Sequence, residues 1–133
     1  MKYLLDTNVC VDYLNGRHPN VIRRIRSADP EDLCVSSVVA AELRYGADRS
    51  ARRAANHTRL DVLLGEIRCL AFDEIAAKEF GRVRSRLDAK GTAIGPYDMQ
   101  IAAHALALDA TLVTDNVDEF ERVRGLRVEN WRV

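Results

Sequence analysis

The sequence predicts an α/β fold with a central, mainly parallel sheet covered by helices on both faces. Three observations predict it. Short apolar runs recur at Tyr3-Leu4-Leu5, Leu33-Cys34-Val35 and Leu112-Val113. Each is stopped by residues that cap helices or turn the chain, namely Asp6-Thr7-Asn8, Ser36-Ser37 and Thr114-Asp115-Asn116. Helical stretches separate the runs, and strands that alternate with helices in this way form buried parallel sheets.

Taken in order, the run at 3–5 reads as a strand that leads into a helix near 9–14, where apolar residues fall at i, i+3 and i+4. Helical stretches follow at about 20–28, 37–48, 51–66, 73–90 and 96–109, with strands at 33–35 and 112–113 between them. Pro96 opens the last helix, a position where its missing N–H costs nothing. Residues 68–72 read as a further strand and 127–129 as a weak final one. No linker, repeat or low-complexity stretch interrupts the 133 residues, so a single domain over 1–133 is expected.

Composition excludes several classes. Twenty Lys and Arg balance twenty Asp and Glu, so the chain does not hold nucleic acid by bulk positive charge, and any such contact is local. Cys10, Cys34 and Cys69 are odd in number and far apart, which argues against a disulfide framework and for three core residues. His18, His57 and His104 are too widely separated for a zinc site, and oxygen ligands outnumber soft ones. Asp6 and Asp12 break the first apolar stretch before a signal peptide develops, and the apolar run at 101–108 is far too short to cross a membrane. A cytoplasmic location is the expectation.

Most acids stand in plainly solvated company, as at Asp29/Glu31/Asp32, Asp73/Glu74 and Asp118/Glu119/Glu121, and need no function. Four are different: Asp6, Glu42, Asp98 and Asp115 are set among apolar or small residues. Glu42 shares a helical face with Val38, Val39 and Gly46, and Asp98 shares one with Ile101, Ala102 and Ala105, so both carboxylates project from faces that should be buried. Taken singly, each has a plain explanation. Asp6 and Asp115 are candidate helix caps, Glu42 a partner for an arginine, and Asp98 a favourable charge at a helix start. Taken together, four converging carboxylates repel one another unless a cation compensates, and oxygen-only ligation selects Mg²⁺ or Mn²⁺. In open parallel sheets ligands bind outside the carboxyl ends of the strands, where Asp6 and Asp115 fall. A divalent cation there activates water and neutralises charge on phosphate, which points to phosphodiester hydrolysis.

Five blocks carry a family resemblance: KYLLDTNV, VSSVVAAELRYGA, IGPYDMQIAAHALAL, LVTDN and FERVRGLRVENW. In this order and spacing the chain resembles a PIN-domain ribonuclease of the VapC toxin type over its whole length. The resemblance implies a small PIN-like α/β domain, Mg²⁺- or Mn²⁺-dependent endoribonuclease activity, a VapB-like antitoxin seated in a groove between helices, and pairing as a homodimer or a toxin–antitoxin hetero-oligomer. It carries over Asp6, Glu42, Asp98 and Asp115 as the acidic pocket, with Asp6, Asp98 and Asp115 as metal ligands and Glu42 as a ligand or general base. Thr7, Thr114 and Asn116 match positions that hydrogen-bond the carboxylates or the substrate phosphate. The IGPYD and FERVRGLRVENW blocks are most similar to the subgroup that cuts initiator tRNA in its anticodon loop.

Only three of the twenty basic residues are lysine, and arginine suits phosphate forks and base stacking. Clusters stand at Arg23/Arg24/Arg26, Arg44/Arg49/Arg52/Arg53 and Arg82/Arg84/Arg86. The second follows Glu42 directly, so Arg44 and Arg49 are candidate RNA contacts, with Tyr97 beside Asp98 a candidate for base stacking. Two other readings compete. A phosphoaccepting signalling domain needs a lysine at a late strand end, and Lys2, Lys78 and Lys90 are not so placed. A non-catalytic binding module on the same fold has no need of all four acids.

Overall fold

The computed structural model describes residues 2–133. Five strands form one sheet in the order β3-β2-β1-β4-β5, every neighbouring pair parallel. They are β1 (Tyr3–Leu5), β2 (Leu33–Ser36), β3 (Arg68–Leu70), β4 (Thr111–Val113) and β5 (Val128–Glu129). Helices α1 (Thr7–Leu14), α2 (Pro19–Ser27), α3 (Ser37–Arg49), α4 (Arg53–Glu66), α5 (Glu74–Lys90), α6 (Pro96–Leu108) and α7 (Val117–Phe120) flank the sheet. All the strands foreseen from sequence form. The short α7 is new, and it covers residues read as a solvated acidic stretch.

The alternation has a direct physical cause. Leu4, Leu5, Cys34, Val35, Leu112 and Val113 are fully buried, as strands between helix layers must be. Ser36 ends β2 and caps α3 by accepting the N–H of Val38 at 3.1 Å, and Asp73 caps α5 by accepting from Ala76 at 3.1 Å. Gly91 stops α5 in the left-handed conformation (φ 65°), which glycine adopts without steric cost. Helix α5 packs along α6, whose residues 101–105 are all buried. Within them His104 shares a 2.8 Å hydrogen bond with Ser36, tying α6 to the end of β2.

The C-terminal tail is fastened rather than loose. Trp131 is buried, meets Tyr3 edge-on at 5.1 Å, and donates its indole N–H to Glu129 at 3.0 Å. Arg132 forks onto the buried carboxylate of Asp12, with Nε to Oδ2 at 2.8 Å and Nη2 to Oδ1 at 3.1 Å. One cysteine departs from expectation: Cys10 and Cys34 are core residues, but Cys69 is exposed. Strand β3 lies at an edge of the sheet, so its side chains are only partly covered.

The strand order fixes where a site can form. The chain moves outward from β1 through β2 to β3, then returns to the other side of β1 with β4 and β5. The crevice between the carboxyl ends of β1 and β4 is thus the point where the direction of winding changes, the usual ligand position in open parallel sheets.

Candidate active site

Asp6 sits at that crevice. Its N–H donates to the carbonyl of Val113 at 2.9 Å, so the ends of β1 and β4 are in register there. Its side chain does two jobs that the sequence offered as alternatives. It caps α1, accepting the Thr7 N–H at 2.8 Å, and it is a buried carboxylate of the pocket, only 7% exposed. The buried Thr114 hydroxyl, just past β4, donates to its other oxygen at 2.7 Å and itself accepts the N–H of Asn116 at 3.1 Å.

Glu42 reaches the same place from the second turn of α3. Among the described residues no arginine pairs with it; instead the Thr7 hydroxyl donates to it at 3.2 Å. Asp98 enters from the first turn of α6. The fourth acid at this point is Glu119 on α7, which the sequence had assigned to solvated company. It is half-buried and held in place by the Gly95 N–H (3.2 Å) and the side-chain amide of Asn116. The sequence carried no signal for it, because Asp118 and Glu121 beside it are ordinary exposed acids.

Asp115 lies within electrostatic reach of Asp6 but, unlike the other acids of the pocket, has an arginine partner. Its carboxylate accepts from Arg132 Nη1 at 3.1 Å and from the Asn8 amide at 3.4 Å, at the rim of the pocket. Thr7, Thr114 and Asn116 each hydrogen-bond a carboxylate: Glu42, Asp6 and Glu119 respectively. Arg44 is spent on α4, donating to Asp61 at 2.7 Å and to the carbonyl of His57 at 3.2 Å. Arg49 leans on its neighbour Tyr45, donating to its hydroxyl at 2.9 Å. Tyr97 is 60% exposed beside Asp98.

The electrostatics follow from this crowding. Burial pushes the Asp6 carboxyl above its usual range, opposed by the bonds from Thr114 and Thr7 and reinforced by Asp115 and Glu119. Glu42 is raised first by burial and also by Asp6. Asp98 is pushed up to about 7, first by burial and then by Glu119, Asp6 and Glu42. Burial pushes Glu119 up as well, but Asn116, the Gly95 N–H and Asp98 more than offset it, so Glu119 lies low. Asp98 and Glu119 are hydrogen-bonding neighbours, so the rise of one and the fall of the other belong to the pair rather than to either carboxyl alone. Among the described residues, no Lys, Arg or His forms an ion pair with Asp6, Glu42, Asp98 or Glu119.

Four oxygen-donor carboxylates without a cationic partner fit a hard divalent cation. Among the described residues no group of three or more His, Cys, Asp or Glu side chains is drawn up ready-made around one point. Mg²⁺ keeps several waters and needs only one or two carboxylates, so the fit rests on donor chemistry and uncompensated charge. One prediction tests the hydroxyl support. Thr114→Val should leave the fold intact and weaken activity by about tenfold, the worth of one hydrogen bond to a charged group; an unchanged rate would show that Thr114 only closes the turn.

Beside Glu42 and Thr7, α1, α3 and α4 enclose a groove of about 360 Å³ floored by Val11, Leu43, Ala47 and Leu60. Among the described residues no helix is long and apolar enough to cross a membrane.

Comparison with known proteins places this geometry. The model of the PIN domain matches residues 3–126. The chain belongs to the PIN-domain family. PIN-domain ribonucleases generally depend on a divalent metal, in keeping with the acidic pocket of this PIN domain. Among its relatives, ribonuclease VapC2 of Rickettsia felis is 39% identical over 133 residues, covering 98% of each chain. The tRNA(fMet)-specific endonuclease VapC of Salmonella typhimurium is 37% identical over 131 residues, again with 98% of each covered. Among solved structures, VapBC2 from Rickettsia felis bound to a promoter DNA fragment superimposes with a TM-score of 0.91 at 36% identity, covering 98% of this PIN domain and 99% of that chain. DNA-bound VapBC from Salmonella typhimurium does so with a TM-score of 0.93 at 35% identity and 98% coverage of both.

Proposed function

We propose that this PIN domain, one unit over 1–133, is the toxin of a toxin–antitoxin pair, a Mg²⁺- or Mn²⁺-dependent endoribonuclease. Its substrate is tRNA, with the anticodon loop of initiator tRNA the first to try, and it acts in the cytoplasm to stop translation. The observation that carries this reading is the set of four crowded carboxylates at the β1–β4 crevice with no ion-pair partner of their own among the described residues. The full-length VapC relatives support the choice of RNA, and the name of the Salmonella relative supports tRNA(fMet).

A bound divalent cation supplies Lewis-acid activation of water and neutralises charge developing on the phosphate. Asp6 and Asp98 are assigned as its direct ligands, with Glu119 beside them and Asp115, shared with Arg132, at the rim. Thr7 orients the Glu42 carboxylate, which accepts the proton of the attacking water. Thr114 fixes Asp6, and Asn116 fixes Glu119. Exposed Tyr97 offers a stacking face for a base next to the scissile bond. Arg44 and Arg49 make their contacts within α3 and α4, and a role for them on RNA requires those contacts to open. In-line attack leaves 5′-phosphate and 3′-hydroxyl ends.

The groove between α1, α3 and α4 is assigned to the antitoxin, an apolar segment of which would lie across Val11 and Leu60 and end near Glu42. The VapBC complexes among the structural relatives support that assignment, as they support a hetero-oligomer.

The test is incubation of the protein, freed of antitoxin, with total tRNA and Mg²⁺ or Mn²⁺, alongside EDTA and Asp6→Ala controls. Discrete metal-dependent cuts, lost in Asp6→Ala, are expected. Equal inertness of both proteins across RNAs, with antitoxin binding retained, would leave a non-catalytic binding module.

A further inference from the structure

An acidic pocket repels the polyanion it must cut, so cations elsewhere on the surface have to hold the strand against it. Most of the cluster that follows Glu42 in sequence is engaged internally: Arg44 pairs with Asp61, Arg53 with Asp48, and Arg49 rests on Tyr45, leaving exposed Arg52. A different set of cations is free. Arg86 and Lys90 on the last turns of α5 meet Arg122 and Arg124, just beyond α7, around one shallow cleft floored by buried Val83 and Leu87.

All four cations are exposed, and among the described residues none has a carboxylate within ion-pair distance. Lys90 has a local explanation, since a cation in the last turn of a helix offsets the helix dipole. That explanation does not extend to Arg86, or to Arg122 and Arg124 on another element. Val123, between the two arginines, is also buried.

The cleft is joined to the acids through one loop. Arg122 Nη1 donates to the carbonyl of Ala93 at 3.4 Å, and Gly95, two residues on, donates its N–H to Glu119 at 3.2 Å. That same loop delivers Asp98 at the start of α6. Other arginines also lack an ion pair among the described residues: Arg23 and Arg26 on α2 line a depression with Pro19 and Ile22, and Arg59, which donates to the carbonyl of Leu14, lines the groove between α1, α3 and α4.

We infer that the cleft formed by Arg86, Lys90, Arg122 and Arg124 is the docking site for the phosphodiester backbone of the RNA substrate as it leaves the acidic pocket. The inference rests on the nuclease reading for its choice of ligand. An acidic peptide has compatible charge, but continuity with a pocket that works on phosphates favours RNA. Arginine forks suit phosphate oxygens, and the contacts are to backbone, so they carry affinity rather than sequence preference.

The experiment measures binding and cleavage separately on the full chain. Binding of a fluorescent tRNA is followed by anisotropy in EDTA, where no cutting occurs, over a series of salt concentrations. The variants are Arg86→Gln/Lys90→Gln/Arg124→Gln, the same three positions changed to Glu, and Arg68→Gln on the far-edge strand β3 as control. Removing a cation from one phosphate should make the slope of log affinity against log salt shallower by about 0.7 to 0.9, so the triple Gln variant should lose roughly two to three units of slope and about tenfold in affinity. The Arg68→Gln control should match the wild type, and circular dichroism should show the variants folded. In cleavage assays the loss should fall on KM rather than kcat.

An unchanged slope in both triple variants overturns the inference, even where the wild type cuts RNA. A wild type that binds no RNA overturns it together with the nuclease reading. Loss of antitoxin binding with the RNA slope intact overturns it in favour of a protein partner. A reduced slope in a protein that cuts nothing sustains the cleft and sinks the nuclease reading alone.

Discussion

Asp6→Asn is expected to abolish RNA cleavage and at the same time to raise the thermal midpoint of the metal-free protein. The two effects share one cause. Asp6 is 7% exposed, without a cation beside it, and burial together with Asp115 and Glu119 disfavours its charge. Folding therefore has to bring an unfavourable carboxylate into the β1–β4 crevice, and the amide removes that cost while keeping the shape. The Asn oxygen still accepts the Thr7 N–H that caps α1, and its NH₂ meets the Thr114 hydroxyl in place of the second oxygen. Relief of about 1 kcal/mol corresponds to a rise of about 3 to 5 °C in a chain of this size. Activity moves the other way, because an amide neither neutralises a divalent cation nor binds it as a carboxylate does. A loss of at least about 100-fold is expected, on the scale of preorganised charge in active sites. Calorimetry and cleavage assays on the same preparation check it. A variant that lost stability along with activity would mark Asp6 as a structural cap, and one that kept its activity would remove it from the site.

Much of this architecture was legible because each signal was local. Strands β1, β2 and β4 are apolar runs that end in capping residues, and Ser36 and Asp6 cap the helices that follow them. Asp6, Glu42 and Asp98 stood out because a carboxylate on an otherwise apolar face is an anomaly that the hydrophobic pattern itself exposes. Glu119 was hidden for the complementary reason. It stands in a stretch of exposed acids on a four-residue helix, too short for any periodicity, and only the tertiary bonds from Gly95 and Asn116 single it out. The contacts of the arginines were equally hidden. Proximity in sequence to Glu42 made Arg44 a candidate RNA contact, and only the packing of α3 on α4 shows it engaged with Asp61 and His57. Asp115 looked like its three companions because the Arg132 that holds it is 17 residues away, in the tail. Local chemistry announces itself in sequence, and the choice between two partners of equal chemistry is made by packing.

The stability of the metal-free protein should fall as pH rises from about 4 to 8, and Mg²⁺ or Mn²⁺ should restore it more strongly at pH 8 than at pH 5. Asp98 carries most of this effect. Its carboxyl is pushed up to about 7 in the folded chain, against 3.8 when unfolded, so between those values the folded state holds a proton that the unfolded state has released. A raised pKa contributes stability below 3.8, and that contribution is lost as pH rises through about 7. Asp6 and Glu42 are shifted in the same direction and add to it. His104 works in the opposite sense: burial lowers its pKa, so its contribution falls away as pH drops below the usual histidine range. Glu119 also opposes: the bonds from Asn116, the Gly95 N–H and Asp98, with the charge of Arg122, hold its pKa low, so its contribution is present above the usual carboxylate range and is lost as pH falls. Asp98→Asn separates these effects, since it removes the Asp98 proton and leaves His104 untouched. The difference in thermal midpoint between wild type and Asp98→Asn, measured without metal from pH 4 to pH 8, should widen as pH rises. Because the cation must displace the Asp98 proton, its affinity should increase by up to about tenfold per pH unit below pH 7 and level off above it. Calorimetric titration with Mn²⁺ at pH 5.5 and pH 8 reads this directly. Equal affinities at the two values would mean that the cation leaves the Asp98–Glu119 proton where it is, and would move the metal to Asp6 and the rim.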